Sequence, residues 1–365
     1  MLMKIKALFL VFILVSVTII GCKKSAKGVY VQYDDTAYQL NLVNNTLLPP
    51  NLPSDNPLTK AKVQLGRMLF YEKSLSLDGT INCASCHDQS TGFSDANQFS
   101  IGVDGATGGR QAMAIVNMAW NDNEFFWDGR AHLLRDQSLG PIENPLEMNE
   151  TLENVIIKLN SNQLMKQQFV RAFGSPEITA EKMSLALENF MLSLVSDNSK
   201  YDRYLVGDAI LTASEERGRA LFFGDFEPQN PSISGAECSH CHFGKNFEND
   251  AYMNNGLDLE VDFTDLGREE ATGDPIHRAR FKVPTLRNIE VTGPYMHDGR
   301  FQTLEEVVEH YNNEINHSPT LAPLLISSLP TGLMLDDEEK VDLINFLKTL
   351  TDHSFLVNPE YSDPN

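Results

Sequence analysis

The chain has 365 residues, with 29 Lys and Arg against 50 Asp and Glu and a formal charge of -21. That balance excludes the basic surface on which nucleic-acid binding depends, and it leaves an acidic face that can steer a basic or dipolar partner protein. The length allows two domains with real cores.

At the N-terminus Lys4 and Lys6 precede an apolar run from Ala7 to Ile20, which ends in Ile19-Ile20-Gly21-Cys22. This pattern reads as a lipoprotein signal peptide over residues 1–21, too short to span a membrane permanently, with Cys22 as the lipidated first residue of the mature protein. Lys23 and Lys24 follow where an aspartate would argue for inner-membrane retention, so the outer membrane is favoured. Residues 22–55 are polar and carry Pro49, Pro50 and Pro53, the composition of an extended tether.

The folded body then repeats itself. Gly66-Arg67-Met68-Leu69-Phe70-Tyr71 leads to Cys83-Ala84-Ser85-Cys86-His87, and Gly218-Arg219-Ala220-Leu221-Phe222-Phe223 leads to Cys238-Ser239-His240-Cys241-His242. Two thiols three positions apart can each form a thioether to a haem vinyl group while the adjacent histidine reaches the iron, so each pentad predicts one covalent c-type haem. A disulfide or half of a zinc site would have no need of the following histidine. The five cysteines are consumed by Cys22 and the two pentads, which leaves none for a structural disulfide. Haem attachment of this kind takes place outside the cytoplasm, in agreement with an exported chain.

The expected organisation is an N-terminal haem domain over 56–200, a second haem domain over 201–352 with the boundary between Asn198 and Ala213, and a tail over 353–365. Met183, Leu187, Phe190, Met191 and Leu194 fall at helical spacing, as do Val341, Ile344, Leu347 and Leu350 after an Asp336…Glu339 start signal. Thr303-Leu304-Glu305-Glu306 is a capping box, and its helix places Leu304, Val307, Val308 and Tyr311 on one apolar face. Asn97 to Gly109 and Asp225 to Ala236 are rich in Gly, Pro, Ser and Asn and read as loops. The fold class is therefore mostly α: two tandem cytochrome c-like domains with long irregular loops.

From Asn56 to Leu350 the chain resembles the bacterial di-haem cytochrome c peroxidase family, which includes the MauG-type enzymes. The resemblance is carried by the pentads and by Asp78-Gly79-Thr80-Ile81-Asn82-Cys83, Phe126-Trp127-Asp128-Gly129-Arg130, Pro141-Ile142-Glu143-Asn144-Pro145-Leu146-Glu147-Met148, Lys282-Val283-Pro284-Thr285-Leu286-Arg287-Asn288 and Pro294-Tyr295-Met296-His297-Asp298-Gly299-Arg300. It implies that peroxide reacts at the haem on His87 and that the haem on His242 relays electrons. Glu147 matches the family's distal glutamate, Gln137 and Pro141 match residues of the same distal pocket, and Trp127 matches a tryptophan between the haems. Many members carry a distal histidine in the loop after the first pentad; Asp88 to Gly109 contains none, which implies a first haem open at rest. His132, the one histidine between the pentads, reads as a solvated helix residue.

Tyr311 stands where peroxidases of the family have a methionine and MauG-type enzymes a tyrosine as distal ligand of the second haem. Met296, Met253 and Met334 are the alternative ligands. His297 matches a histidine near the haem propionates. Relatives hold calcium between the domains partly through backbone carbonyls, and Thr292-Gly293-Pro294 matches that segment, although Gln111 replaces the expected asparagine.

Three functions compete. The first is reduction of hydrogen peroxide with electrons from a small periplasmic c-type cytochrome or cupredoxin, by a lipid-anchored protein that relatives suggest to be a homodimer. The second keeps the peroxide chemistry but oxidises a partner protein's side chain, as MauG-type enzymes do. The third is a non-enzymatic di-haem electron carrier, which would leave Glu147 and Gln137 without purpose.

Overall fold

The structure, a computed structural model, describes residues 31–364; the signal peptide, Cys22, Lys23 and Lys24 lie outside the described residues. The helices are α1 (Lys60–Phe70), α2 (Leu134–Glu143), α3 (Leu152–Ser161), α4 (Gln163–Phe173), α5 (Ala180–Ser193), α6 (Lys200–Leu205), α7 (Ala213–Phe223), α8 (Arg268–Thr272), α9 (Leu304–Asn313), α10 (Pro323–Ile326), α11 (Asp337–Lys348) and α12 (His353–Leu356). Strand is scarce: β1 (Tyr252–Met253) and β2 (Phe281–Lys282) form one short antiparallel pair. The expectation of a mostly α chain with long loops holds.

Two apolar cores organise these elements. One gathers residues between Leu58 and Leu194 together with Phe355 and Tyr361; the other gathers residues between Tyr201 and Leu350. Each is built on one helix crossing. α1 meets α5 at Gly66, where a Cβ would lie 1.9 Å from the Ala186 carbonyl oxygen, and α7 meets α11 at Gly218, where a Cβ would lie 1.9 Å from the Asp342 carbonyl oxygen. The absence of a side chain lets the backbones touch, and Phe190 and Phe346 close over the two glycines at matching positions. The helix starts are fixed by side chains: Thr59 caps α1, Thr179 caps α5, and capping boxes at Thr212, Thr303 and Asp336 begin α7, α9 and α11.

The two halves agree hydrogen bond by hydrogen bond. Asn117 N donates to Leu194 O at 2.9 Å, and Asn288 N donates to Leu350 O at 3.1 Å. Phe125 N donates to Ala131 O at 2.8 Å across the Phe126-Trp127-Asp128-Gly129-Arg130 turn, and Tyr295 N donates to Phe301 O at 2.8 Å across Met296-His297-Asp298-Gly299-Arg300. Both turns need the left-handed region twice, at Phe126 and Gly129 in one and at Met296 and Gly299 in the other. By this register Trp127 corresponds to His297, and α2 corresponds to α9.

Some expectations change. The second half of the tether is laid onto the body: Tyr38 N donates to Leu58 O at 3.0 Å, Asn44 is bound to Asp197 and Asn198, and Trp120 Nε1 donates to Leu48 O at 2.6 Å. Its prolines signal extension, but its backbone donors find partners on the fold. The tail is likewise a strap. Phe355 and Tyr361 are buried in the first core, and Arg67 Nε donates to Ser362 O at 2.6 Å. Val341 is 54% exposed, because the buried face of α11 is made by Leu343, Ile344, Phe346 and Leu347.

Candidate active site

Each pentad forms a tight turn in which the histidine N–H returns to the first cysteine, at 3.0 Å for His87 to Cys83 O and 2.9 Å for His242 to Cys238 O. The ring of His87 is oriented by Nδ1 at 2.9 Å from Phe93 O, and that of His242 by Nδ1 at 3.2 Å from Phe247 O and 3.1 Å from Pro284 O. A carbonyl partner fixes the proton on Nδ1, which leaves Nε2 with its lone pair for a metal. Burial holds both imidazoles below their usual pKa, His242 down to about 4, so both are neutral. Burial also pushes the Cys83 and Cys238 thiols up to about 12. All four pentad cysteines are unpaired, and among the described residues no group of three or more His, Cys, Asp or Glu could hold a metal. Neutral, unpaired thiols beside an oriented imidazole fit covalent haem attachment and do not fit a zinc site or a redox thiolate.

The first cavity is lined by Cys83, Cys86 and His87 together with Gln137 and Pro141 of α2 and with Glu147. Thus three residues separated in sequence from the pentad are brought to it. Burial raises the Glu147 carboxyl above its usual pKa, while a hydrogen bond from Asn144 and the charge of Arg130 act in the opposite sense. Asn144 Nδ2 donates to Glu147 Oε1 at 2.7 Å, and Val103 N donates to Glu147 O at 2.8 Å. Gly102 permits that second contact, since a Cβ there would lie 2.2 Å from Leu146 O. His132 is absent from this cavity: its side chain is 83% exposed, and it sits in the bend before α2 and not in a helix.

The second cavity has a volume of about 270 Å³ and a mainly apolar wall that includes Cys238, Cys241 and His242. The apolar face predicted for α9 lines it in full, with Leu304, Val307, Val308 and Tyr311. Burial pushes the Tyr311 hydroxyl up to about 12 against the pull of a hydrogen bond from Asn255. Met253 and Met296 share this cavity, whereas Met334 does not line it and is partly exposed. His297 borders the same space and stacks on Phe281 with ring centroids 3.6 Å apart. Thr292 and Pro294 also line it.

Trp127 lies at the seam. It lines the second cavity, its Nε1 donates to Gln111 O at 2.8 Å, and its carbonyl accepts from Lys282 N at 2.8 Å. Gln111 N in turn donates to His297 O at 2.8 Å, which gives the seam a two-fold character. Gln111 Nε2 also reaches Ser94 Oγ at 3.0 Å, and Ser94 follows Phe93, the residue that orients His87. A short bonded and hydrogen-bonded path therefore joins His87 and His242 through Gln111 and Trp127. Sequence reading missed Asn144, Gly102 and Asn255; a polar or glycine residue beside a motif is visible, but its contact partner is not.

Residues 60–210 match the family model described as di-haem cytochrome c peroxidase. Over 302 residues the chain is 36% identical to the methylamine utilization protein MauG of Methylorubrum extorquens, covering 82% of this chain and 80% of that protein. It is 35% identical over 291 residues to the cytochrome c551 peroxidase of Nitrosomonas europaea, covering 79% of each. This chain belongs to the di-haem cytochrome c peroxidase family. Among solved structures, a MauG-like protein associated with microbial copper homeostasis is similar to this di-haem peroxidase with a TM-score of 0.78 and 34% identity, over 90% of this chain and 99% of that one. The diheme peroxidase BthA of Burkholderia thailandensis shares the fold at a TM-score of 0.70 and 21% identity. The protein is a peroxide-reducing oxidoreductase carrying c-type haem, which sets aside the non-enzymatic carrier.

Proposed function

We propose that this di-haem peroxidase reduces hydrogen peroxide to two waters at the haem on His87, with electrons delivered singly by a small periplasmic c-type cytochrome or cupredoxin through the haem on His242. The two haem-binding units are residues 56–200 and 201–352, read as tandem cytochrome c-like domains on the strength of their repeated hydrogen bonds. The observation that carries the reading is Glu147 in one cavity with His87. Bound haem would supply the iron coordination position and the electrons that break the O–O bond. Glu147 takes a proton from one peroxide oxygen and returns it to the other, which departs as the first water; the two donated electrons and two further protons from solvent turn the remaining oxygen into the second water. Gln137 orients the peroxide, Pro141 shapes the space above it, and Trp127 relays electrons across the seam.

Oxidation of a partner protein's side chain is the second reading, favoured by Tyr311: a phenolate ligand stabilises ferric and higher-valent iron and so retains oxidising equivalents. A lipid anchor at Cys22 on the periplasmic side of the outer membrane, and a homodimer, complete the proposal. Calcium at Thr292 and Pro294 would rest on backbone oxygens beside a Gln111 amide already engaged with Ser94 and Asp95, a poor set for a hard dication, and no step is assigned to it.

Stopped-flow absorbance of the diferric protein with hydrogen peroxide, with and without reduced small cytochrome c, tests both readings. Prompt, sustained cytochrome oxidation supports the peroxide reductase. A long-lived oxidised spectrum that the cytochrome scarcely discharges favours the protein-oxidising reading, and no spectral change sinks the open first haem.

A further inference from the structure

Asn255 is held on the wall of the second cavity between two rigid neighbours. Asn254 is buried, and its Nδ2 donates to Ser318 Oγ and Thr320 Oγ1, each at 3.0 Å. Its Oδ1 accepts from Gly256 N at 2.8 Å. Gly256 has φ +74°, and a Cβ there would lie 2.6 Å from the Ile315 side chain, so the backbone packs closely against the chain that follows α9. α9 clamps Asn255 itself: His310 Nε2 lies 3.0 Å from Asn255 O, and the His310 ring meets the Tyr311 ring at 5.1 Å between centroids.

The side chain then serves two partners of different chemistry. Asn255 Nδ2 donates to Met296 Sδ at 3.3 Å, and the same side chain lies near enough to the Tyr311 hydroxyl to draw its pKa down. Met296 is itself fixed at φ +73°, inside the turn closed by Gly299 N to Met296 O at 3.2 Å. Both side chains line the cavity that holds His242. Either can bind haem iron: tyrosine as a hard anion that favours the ferric state, methionine as a soft thioether that raises the potential.

We propose that Asn255 is the positioning residue that selects Tyr311 over Met296 as distal ligand of the second haem. An N–H directed at a phenolate oxygen offsets the cost of its charge in an apolar cavity, whereas an uncharged thioether gains little from the same donor and is held by it at a distance. The amide therefore sets the potential of the second haem without touching the iron. This inference rests on Tyr311 being the distal ligand in the reading above.

The test is absorption and magnetic circular dichroism of the purified diferric holoprotein, with potentiometric titration of the second haem. Wild type and Met296→Leu should lack the far-red band that a thioether gives on ferric haem. Asn255→Leu should gain the band and raise the potential, and Asn255→Leu with Met296→Leu should lose the band again. Asn255→Asp has nearly the native size, removes the amide donors and opposes a phenolate, so it should change in the same direction if the leucine variant does not take up haem. Wild-type spectra and potential in Asn255→Leu or Asn255→Asp would overturn the proposal. Tyr311→Phe separates the two claims: a spectrum unchanged from wild type removes Tyr311 as ligand whatever Asn255 does, while a changed spectrum without the thioether band overturns Met296 as the alternative.

Discussion

Pro141 and Tyr311 occupy one position in two copies of the same helix. Each is the eighth residue of its helix, α2 or α9, and each follows by eleven residues the arginine that ends the repeated turn, Arg130 or Arg300. Each lines the cavity of its own half together with the pentad histidine, His87 or His242. A phenol can ligate iron and a pyrrolidine ring cannot, so under the proposed reading the same scaffold would give one closed and one open distal side. Pro141→Tyr is therefore expected to convert the first haem to a six-coordinate form and abolish the peroxide-induced absorbance change in the diferric protein. Prompt reaction of that variant with peroxide would refute the equivalence.

In the proposed role Glu147 must be ionised to accept a proton from peroxide, and burial places its pKa above the usual value of about 4.3. The rate of peroxide reaction should rise with pH through that elevated pKa, and Glu147→Gln should remove the limb and lower the rate roughly 10²–10⁴-fold. Asn144→Leu removes the hydrogen bond that stabilises the carboxylate, so it should move the limb to still higher pH. A limb unmoved in that variant would show that another group titrates. Stopped-flow rates across a pH series decide the matter.

The pentads, the helix starts and the apolar face of α9 were legible because each is a local pattern: fixed spacing, a capping box, a 3.6-residue period. The placement of Glu147 beside His87 was legible only through the family motifs, since nothing in residues 137–147 taken alone distinguishes a solvated carboxylate from a distal one. The docking of residues 32–55 and 353–364 was not legible because composition reports chain stiffness, not contacts; Asn44 binds Asp197, and Tyr361 packs into the first core with residues from Leu58 onward, partners far away in sequence. The pairing of Gln111 with His297, and of Lys282 with Trp127, depends on how the halves meet and leaves no trace in either half.

Gly66 and Gly218 permit backbone contact at the two crossings, and neither needs a positive φ. Gly218→Ala should therefore act purely through overpacking, by at least about 1–3 kcal/mol, because the obstructing atom is the Asp342 backbone and cannot rotate away. Gly244→Ala gives the opposite control: nothing lies within 4 Å of a Cβ there, and its cost should come from its φ of +67° alone. Urea unfolding of the holoprotein measures both, and equal small losses would contradict the crossing argument.

The second half is tied down by a buried ion pair. Arg287 Nη1 and Nη2 donate to Asp202 Oδ2 and Oδ1 at 2.8 and 2.9 Å, and both side chains are 1% exposed. Burial pushes the Asp202 carboxyl up, but hydrogen bonds from Arg287 and Ser199 outweigh it and hold the pKa below its usual value. A depressed folded pKa contributes stability that is present above the unfolded pKa, about 3.9, and lost as pH falls through the lower folded value. Asp202→Asn leaves Arg287 charged and uncompensated in the interior, which should cost about 3–5 kcal/mol at neutral pH. The variant should also lose less stability than wild type between neutral pH and pH 3, because the titrating carboxylate is gone. Replacing both partners, Asp202→Leu with Arg287→Met, should cost less than the single change, since no charge is then stranded. Denaturant midpoints at a series of pH values test all three statements, and a single variant as stable as wild type would show that the pair is held for geometry and not for stability.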